Sequence, residues 1–102
     1  MIYLSGKITG NPKYKEQFDV AAQIVMEGAP WLKLDMEKET FFNPAELPEG
    51  KTKAEYMRIC FAALEMADVV VMLPNWQDSA GAKLEHDYAK YLEKLIVYIK
   101  IE

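Results

Sequence analysis

Five apolar residues in a row, Val69 to Leu73, stand between Asp68 and Pro74. An unbroken β-branched run has no polar face to turn to water, so both of its faces must be covered. That is the situation of a central strand in a parallel sheet. Parallel neighbours cannot be joined by a tight turn and need a crossover, usually a helix. The rest of the chain must therefore supply strands and helices in alternation.

It does. Residues 1–5 form a short apolar strand, and residues 5–10 (Ser5, Gly6, Lys7, Ile8, Thr9, Gly10) form the loop after it. Asn11 is placed to cap a helix with Pro12 at its first position. Phe18, Ala21, Ala22, Val25 and Met26 recur at helical spacing, and Gly28 marks the expected end. Residues 29–39 read as an irregular excursion. Thr40 to Asn43 is a second short strand, stopped by Pro44. Thr52 and Glu55 match a capping box and open the next helix, with Tyr56, Ile59, Cys60, Ala63, Leu64 and Ala67 on its inner side. Asp68 is expected to close that helix. A third helix begins near Ser79 and runs to about Leu92, and residues 95–101 form the last strand. The order β-α-β-α-β-α-β implies a parallel sheet with helices on its faces and right-handed crossovers. The sheet order 2-1-3-4 is preferred. It puts the switch point between the first and third strands, where the loops 5–10 and 74–79 meet.

Composition narrows the function. A chain of 102 residues that is 51% hydrophobic makes one domain, residues 1–102. No apolar run is long enough to cross a membrane, and residues 1–5 lack the charged region of a secretory signal. The single cysteine, Cys60, fits a reducing cytosol and excludes an internal disulfide. No Cys/His cluster has metal spacing, so neither a metal nor another cofactor is expected. With 12 basic and 16 acidic residues, a net charge of −4 argues against a nucleic-acid polymer as partner. A small anionic ligand is still allowed, because backbone N–H groups can hold one phosphate.

The candidate site lies at the predicted crevice. Gly81 and Glu85 are four residues apart, on one helix face. Helical side chains lean toward the N-terminus, so Glu85 leans over a residue with no side chain. The helix dipole favours its ionised form. Glu85 is either a solvated dipole partner or a carboxylate placed for chemistry. The loop 5–10 is either a plain βα turn or an anion cradle, with Gly6 and Gly10 allowing close backbone approach and Lys7 and Thr9 able to touch an anion. It is neither a P-loop nor a dinucleotide fingerprint. Trp76 either stacks on a base, fills a subunit contact or folds back on its own domain. Asp78 and Ser79 are the candidate caps of the third helix, and a serine there can also reach a phosphate. Tyr3 alternates with Ile2 and Leu4 as a core residue whose hydroxyl can reach the crevice. His86 points about 100° away from Glu85 around the helix, so no Glu–His pair is expected.

Residues 2–10, Phe42 to Ala45, Asp68 to Val71 and Ser79 to Glu85 occur in the order seen in nucleoside 2-deoxyribosyltransferase-like proteins. The chain resembles a small bacterial and phage branch of that superfamily, whose function is unassigned, over nearly its whole length. The resemblance implies a flavodoxin-like three-layer α/β sandwich, usually assembled as a dimer or larger. It implies a small-molecule partner, a 2′-deoxyribonucleoside or its 5′-monophosphate. In such enzymes a glutamate attacks C1′ and forms a deoxyribosyl ester, which a second base or water then resolves. That glutamate matches Glu85, a first-strand tyrosine matches Tyr3, a phosphate-holding serine matches Ser79, and the first loop matches Gly6 to Gly10. Relatives often carry an aspartate, associated with protonating the departing base, where this chain has Cys60. An arginine of the N-glycosidase signature is replaced by Thr9. A thiol titrating near ~8.5 is a poor general acid, which leaves Asp78, Asp68 or a partner chain to supply the proton.

The expectation is a cytoplasmic, homodimeric deoxyribosyltransferase-like or N-glycosidase enzyme. Glu85, Tyr3 and Asp78 are its catalytic candidates, and the loop 5–10, Trp76, Ser79 and Gly81 contact substrate. The rival is a nucleotide-binding module that uses the same crevice without turnover.

Overall fold

A computed structural model describes residues 1–32 and 40–101, with the backbone alone for residues 29–32. The elements are β1 (Ile2–Ser5), α1 (Tyr14–Leu32), β2 (Phe41–Phe42), α2 (Lys53–Met66), β3 (Val69–Met72), α3 (Ala80–Tyr91) and β4 (Leu95–Tyr98). Two 3₁₀ turns, Pro44–Glu46 and Trp76–Asp78, follow β2 and β3. All strand pairs are parallel and the order is β2-β1-β3-β4. Ile2 lies opposite both Phe41 and Val69, and Val69 lies opposite Leu95. This is a flavodoxin-like three-layer α/β fold.

The period-2 alternation of the strands sorts the core into two halves. Ile2, Leu4, Val69, Val71 and Leu73 face Phe18, Ala21 and Val25 of α1. Tyr3, Val70 and Met72 face the other way, onto Cys60 and Leu64 of α2 and Ala89 of α3. One helix thus covers one face and two cover the other. Every residue of β1 and β3 is buried, as the apolar run Val69 to Leu73 requires. The edge strand β4 leaves Leu95 and Tyr98 more than half exposed.

Local signals set the helix starts. The Thr52 hydroxyl accepts from Glu55 N at 3.1 Å, and the Glu55 carboxylate accepts from Thr52 N at 2.9 Å, completing the capping box. Ser79 caps α3 by accepting from Ala82 N at 3.1 Å.

Five expectations are corrected. Asn11 opens a turn, accepting from Lys13 N at 3.2 Å, and the helix proper begins at Tyr14. It then continues through Gly28 to Leu32, because a glycine ends a helix only where the chain leaves helical backbone. The expected excursion is therefore helical over residues 29–32; its remainder, and the side chain of Trp31, lie outside the described residues. β4 ends at Tyr98 because its partner β3 ends at Met72; one bond, Ile99 N to Met72 O at 3.1 Å, continues past it. Asp68 does not close α2, whose C-cap is Ala67; its exposed carboxylate accepts from the Met1 ammonium at 2.6 Å. No helix among the described residues is long and apolar enough to cross a membrane.

Candidate active site

The carboxyl ends of β1 and β3 lie side by side, and the loops leaving them diverge to opposite faces of the sheet. A cavity of about 790 Å³ opens there, between these loops, the segment after β2, α2 and the start of α3. This is the usual size and place of a small-molecule site in an open α/β sheet.

Glu85 forms its floor. Its side chain is only 8% exposed, in the second turn of α3. The Tyr3 hydroxyl donates to Glu85 Oε1 at 2.5 Å and the Ser5 hydroxyl donates to the same oxygen at 3.3 Å. Both hydroxyls come from the face of β1 that turns toward α2 and α3. The Tyr3 ring stacks on Phe42 of β2 at 5.3 Å between centroids, which fixes the direction of its hydroxyl. Burial pushes the Glu85 carboxyl up to about 7, and the bonds from Tyr3 and Ser5 only partly offset this. The helix dipole does not make it unusually acidic, because that field fades within the first turn. Burial, then the Glu85 charge, hold the Tyr3 hydroxyl far above its ordinary range, so it remains a donor. Cys60 of α2 lines the same cavity, and burial pushes its thiol up to about 11.

The first loop is clamped in place. Gly6 packs so tightly on the end of β3 that a Cβ there would lie 2.8 Å from Leu73 Cβ. Lys7 N donates to Asn75 Oδ1 at 3.1 Å, and Asn11 Nδ2 donates to Lys7 O at 2.9 Å. Gln17 Oε1 ties the two asparagines together, accepting from Asn11 at 2.8 Å and Asn75 at 3.1 Å. Gly10, at φ +75°, turns the chain into α1.

The chain matches the family described as Domain of unknown function (DUF4406) over residues 1–98. It belongs to that family. No curated protein and no solved structure matches it.

In this DUF4406 domain, Gly6, Ile8, Thr9, Asp78, Ser79, Gly81 and Glu85 line one cavity, with Tyr3 and Ser5 reaching Glu85 from below. Lys7 is outside the lining and contributes its backbone to the clamp instead. Gly10 is also outside it. Gly81 is not sterically essential, since a Cβ there would make ordinary contacts, 3.5 Å from Met57 Cε and 3.9 Å from Ser79 Oγ. Trp76 leaves the site altogether. It folds back on its own domain and stacks on His86 at 4.1 Å between centroids. His86 Nε2 in turn lies 2.6 Å from the Tyr98 hydroxyl, so histidine and glutamate look different ways, in keeping with their offset around the helix. Asp68 lies at the amino end of β3 and cannot serve the cavity. Among the described residues, no group of three His, Cys, Asp or Glu is placed to hold a metal ion.

Sequence reasoning did not find Asn75 and Gln17 as the clamp, nor Pro44, Leu47, Tyr56 and Met57 as cavity walls. The one available signal was Asn75 itself. An amide next to a βα crevice can donate and accept at once.

Proposed function

We propose that this domain is a nucleoside or nucleotide deoxyribosyltransferase-like enzyme. It cleaves or transfers at the N-glycosidic bond of a 2′-deoxyribonucleoside or its 5′-monophosphate, with Glu85 as nucleophile. The observation that carries the reading is a buried carboxylate on the floor of a ligand-sized cavity, oriented through one oxygen by Tyr3 and Ser5. The resemblance in the segments holding Tyr3, Ser79 and Glu85 supports the same chemistry.

Oε1 carries both hydroxyl hydrogen bonds and Oε2 carries neither. In the proposed reaction Oε2 attacks C1′ as the C1′–N bond breaks and the sugar ring gathers positive charge. Tyr3 keeps the carboxylate from rotating and stabilises its charge before attack. The Ser79 hydroxyl oxygen accepts from Ala82 N, which leaves its proton for a 5′-phosphate at the start of α3. Water or a second base then resolves the ester. Cytosolic operation and a homodimer belong to the same proposal; Leu84, more than half exposed at the cavity edge, supports a second chain nearby.

One observation favours a second reading, a nucleotide-binding module without turnover. The position of the expected acid holds Cys60, whose thiol keeps its proton up to about 11. Incubation with a panel of 2′-deoxynucleosides and 5′-monophosphates, with and without a second free base, separates the two by chromatography. Base release or exchange that vanishes in Glu85→Ala establishes the enzyme. Calorimetric binding of the same compounds without consumption establishes the module.

A further inference from the structure

We infer that the cavity is built for an N-glycoside whose departing base is already positively charged, so that it leaves without taking up a proton. This rests on the reading of Glu85 as nucleophile and names the substrate class for it.

The departure of a neutral base has a requirement that this floor does not meet. As the C1′–N bond breaks, its electron pair goes to the base nitrogen, and a neutral base becomes an anion unless an acid protonates it. Among the described residues, the protonated groups beside Glu85 are the Tyr3 and Ser5 hydroxyls and the Cys60 thiol. Tyr3 and Ser5 already donate to the nucleophile. Cys60 is buried and holds its proton more tightly than an ordinary thiol. Glu49, Lys53 and Asp78 also line the cavity, but all three are exposed, at its rim.

A cationic leaving group removes the requirement. Glu85 Oε2 forms a bond to C1′, the C1′–N⁺ bond breaks, and its electron pair neutralises the ring nitrogen. One anion and one cation become a neutral ester and a neutral base. Annihilating opposite charges is favoured in a site of low dielectric, and Glu85 sits in one. Water then adds to C1′, the C1′–Oε2 bond breaks with its pair returning to the carboxylate, and the surplus proton of water passes to solvent.

The walls fit the same class. Among the described lining residues the charges are Glu49, Asp78 and Glu85 against Lys53, an excess that attracts a cation. Leu47, Met57 and Tyr56 supply apolar lining, and an aromatic side chain also attracts a cationic ring.

The test compares kcat/KM of the purified full chain on 2′-deoxyguanosine, 7-methyl-2′-deoxyguanosine and the 2′-deoxyriboside of nicotinamide. The last two carry cationic bases from different sources, a methylated purine and a pyridinium. A protein-free blank subtracts spontaneous cleavage, and Glu85→Gln is run in parallel. At least one cationic substrate is expected to exceed deoxyguanosine by about 100-fold or more, the least that a positioned acid usually contributes. Cys60→Asp, a buried acid that keeps its proton near neutral pH, is expected to narrow that gap about tenfold or more. If this variant does not fold, the wild-type comparison decides alone. Comparable turnover of neutral and cationic substrates overturns the inference and leaves the glycosidic reading standing. An unchanged gap in folded Cys60→Asp also overturns it. No turnover of any substrate, or turnover that persists in Glu85→Gln, overturns the glycosidic reading and this inference together.

Discussion

Replacing Glu85 with glutamine is expected to stabilise the protein while removing its proposed activity. The carboxyl is raised from an ordinary 4.5 to about 7, chiefly by burial. Between those pH values the folded chain keeps a proton that the unfolded chain has lost. Wild-type stability therefore falls as pH climbs from about 4.5 to about 7 and levels off above. At pH 8 the buried charge costs about 3 kcal/mol relative to the unfolded chain. Glutamine has the same shape, presents a carbonyl oxygen to the Tyr3 and Ser5 hydroxyls, and carries no charge. The variant is thus expected to match the wild type near pH 4 and to exceed it by up to about 3 kcal/mol at pH 8. In urea that corresponds to a midpoint about 1 to 3 M higher. The assay is urea unfolding followed by circular dichroism at pH 4, 5, 6, 7 and 8, with base release measured on the same samples. A stability difference that does not vary with pH, or a wild type more stable than the variant at pH 8, refutes the argument that burial dominates at this carboxylate.

Tyr3→Phe removes the stronger of the two donors to Oε1, so the Glu85 carboxyl should titrate higher still, moving the acid limb of a pH–rate profile to higher pH. At neutral pH a loss of about 10- to 100-fold in kcat is expected, the usual worth of a hydrogen bond to a charged group. Gly6→Ala places a Cβ 2.8 Å from Leu73 Cβ, between two backbone segments that cannot easily part. A loss of about 1–3 kcal/mol is expected in thermal melts, whereas Gly81→Ala should change stability little. Ser79→Ala removes the cap of α3 and should cost about 1 kcal/mol by urea titration, together with weaker binding of 5′-monophosphates than of nucleosides by calorimetry. Trp76→Phe should leave KM within about threefold of wild type, since an aromatic ring on His86 is preserved and no cavity wall is touched; a large rise in KM would return Trp76 to the site.

The sheet was legible because its signals are local. The run Val69 to Leu73 has no polar face, and it called for a buried parallel strand whatever surrounded it. Thr52 with Glu55, and Ser79 with Ala82, make hydrogen bonds over three residues, so two helix starts could be read directly. Part of the site was legible for the same reason: Ser79, Gly81 and Glu85 share one helix face by geometry alone. The end of α1 was not, since Gly28 permits a stop without requiring one.

The tertiary structure decided what depends on distance along the chain. Tyr3 and Glu85 are 82 residues apart, and Asn75 and Gln17 are 58 apart. Alternation in β1 says which face Tyr3 takes, but only packing of α3 across that face brings a carboxylate onto its hydroxyl. The direction of Trp76 was likewise decided by His86 and Tyr98 arriving from α3 and β4. The sign of the shift at Glu85 is the clearest case. The helix dipole is a local term and favours the charge, while burial arises only when the layers close, and burial is the larger effect.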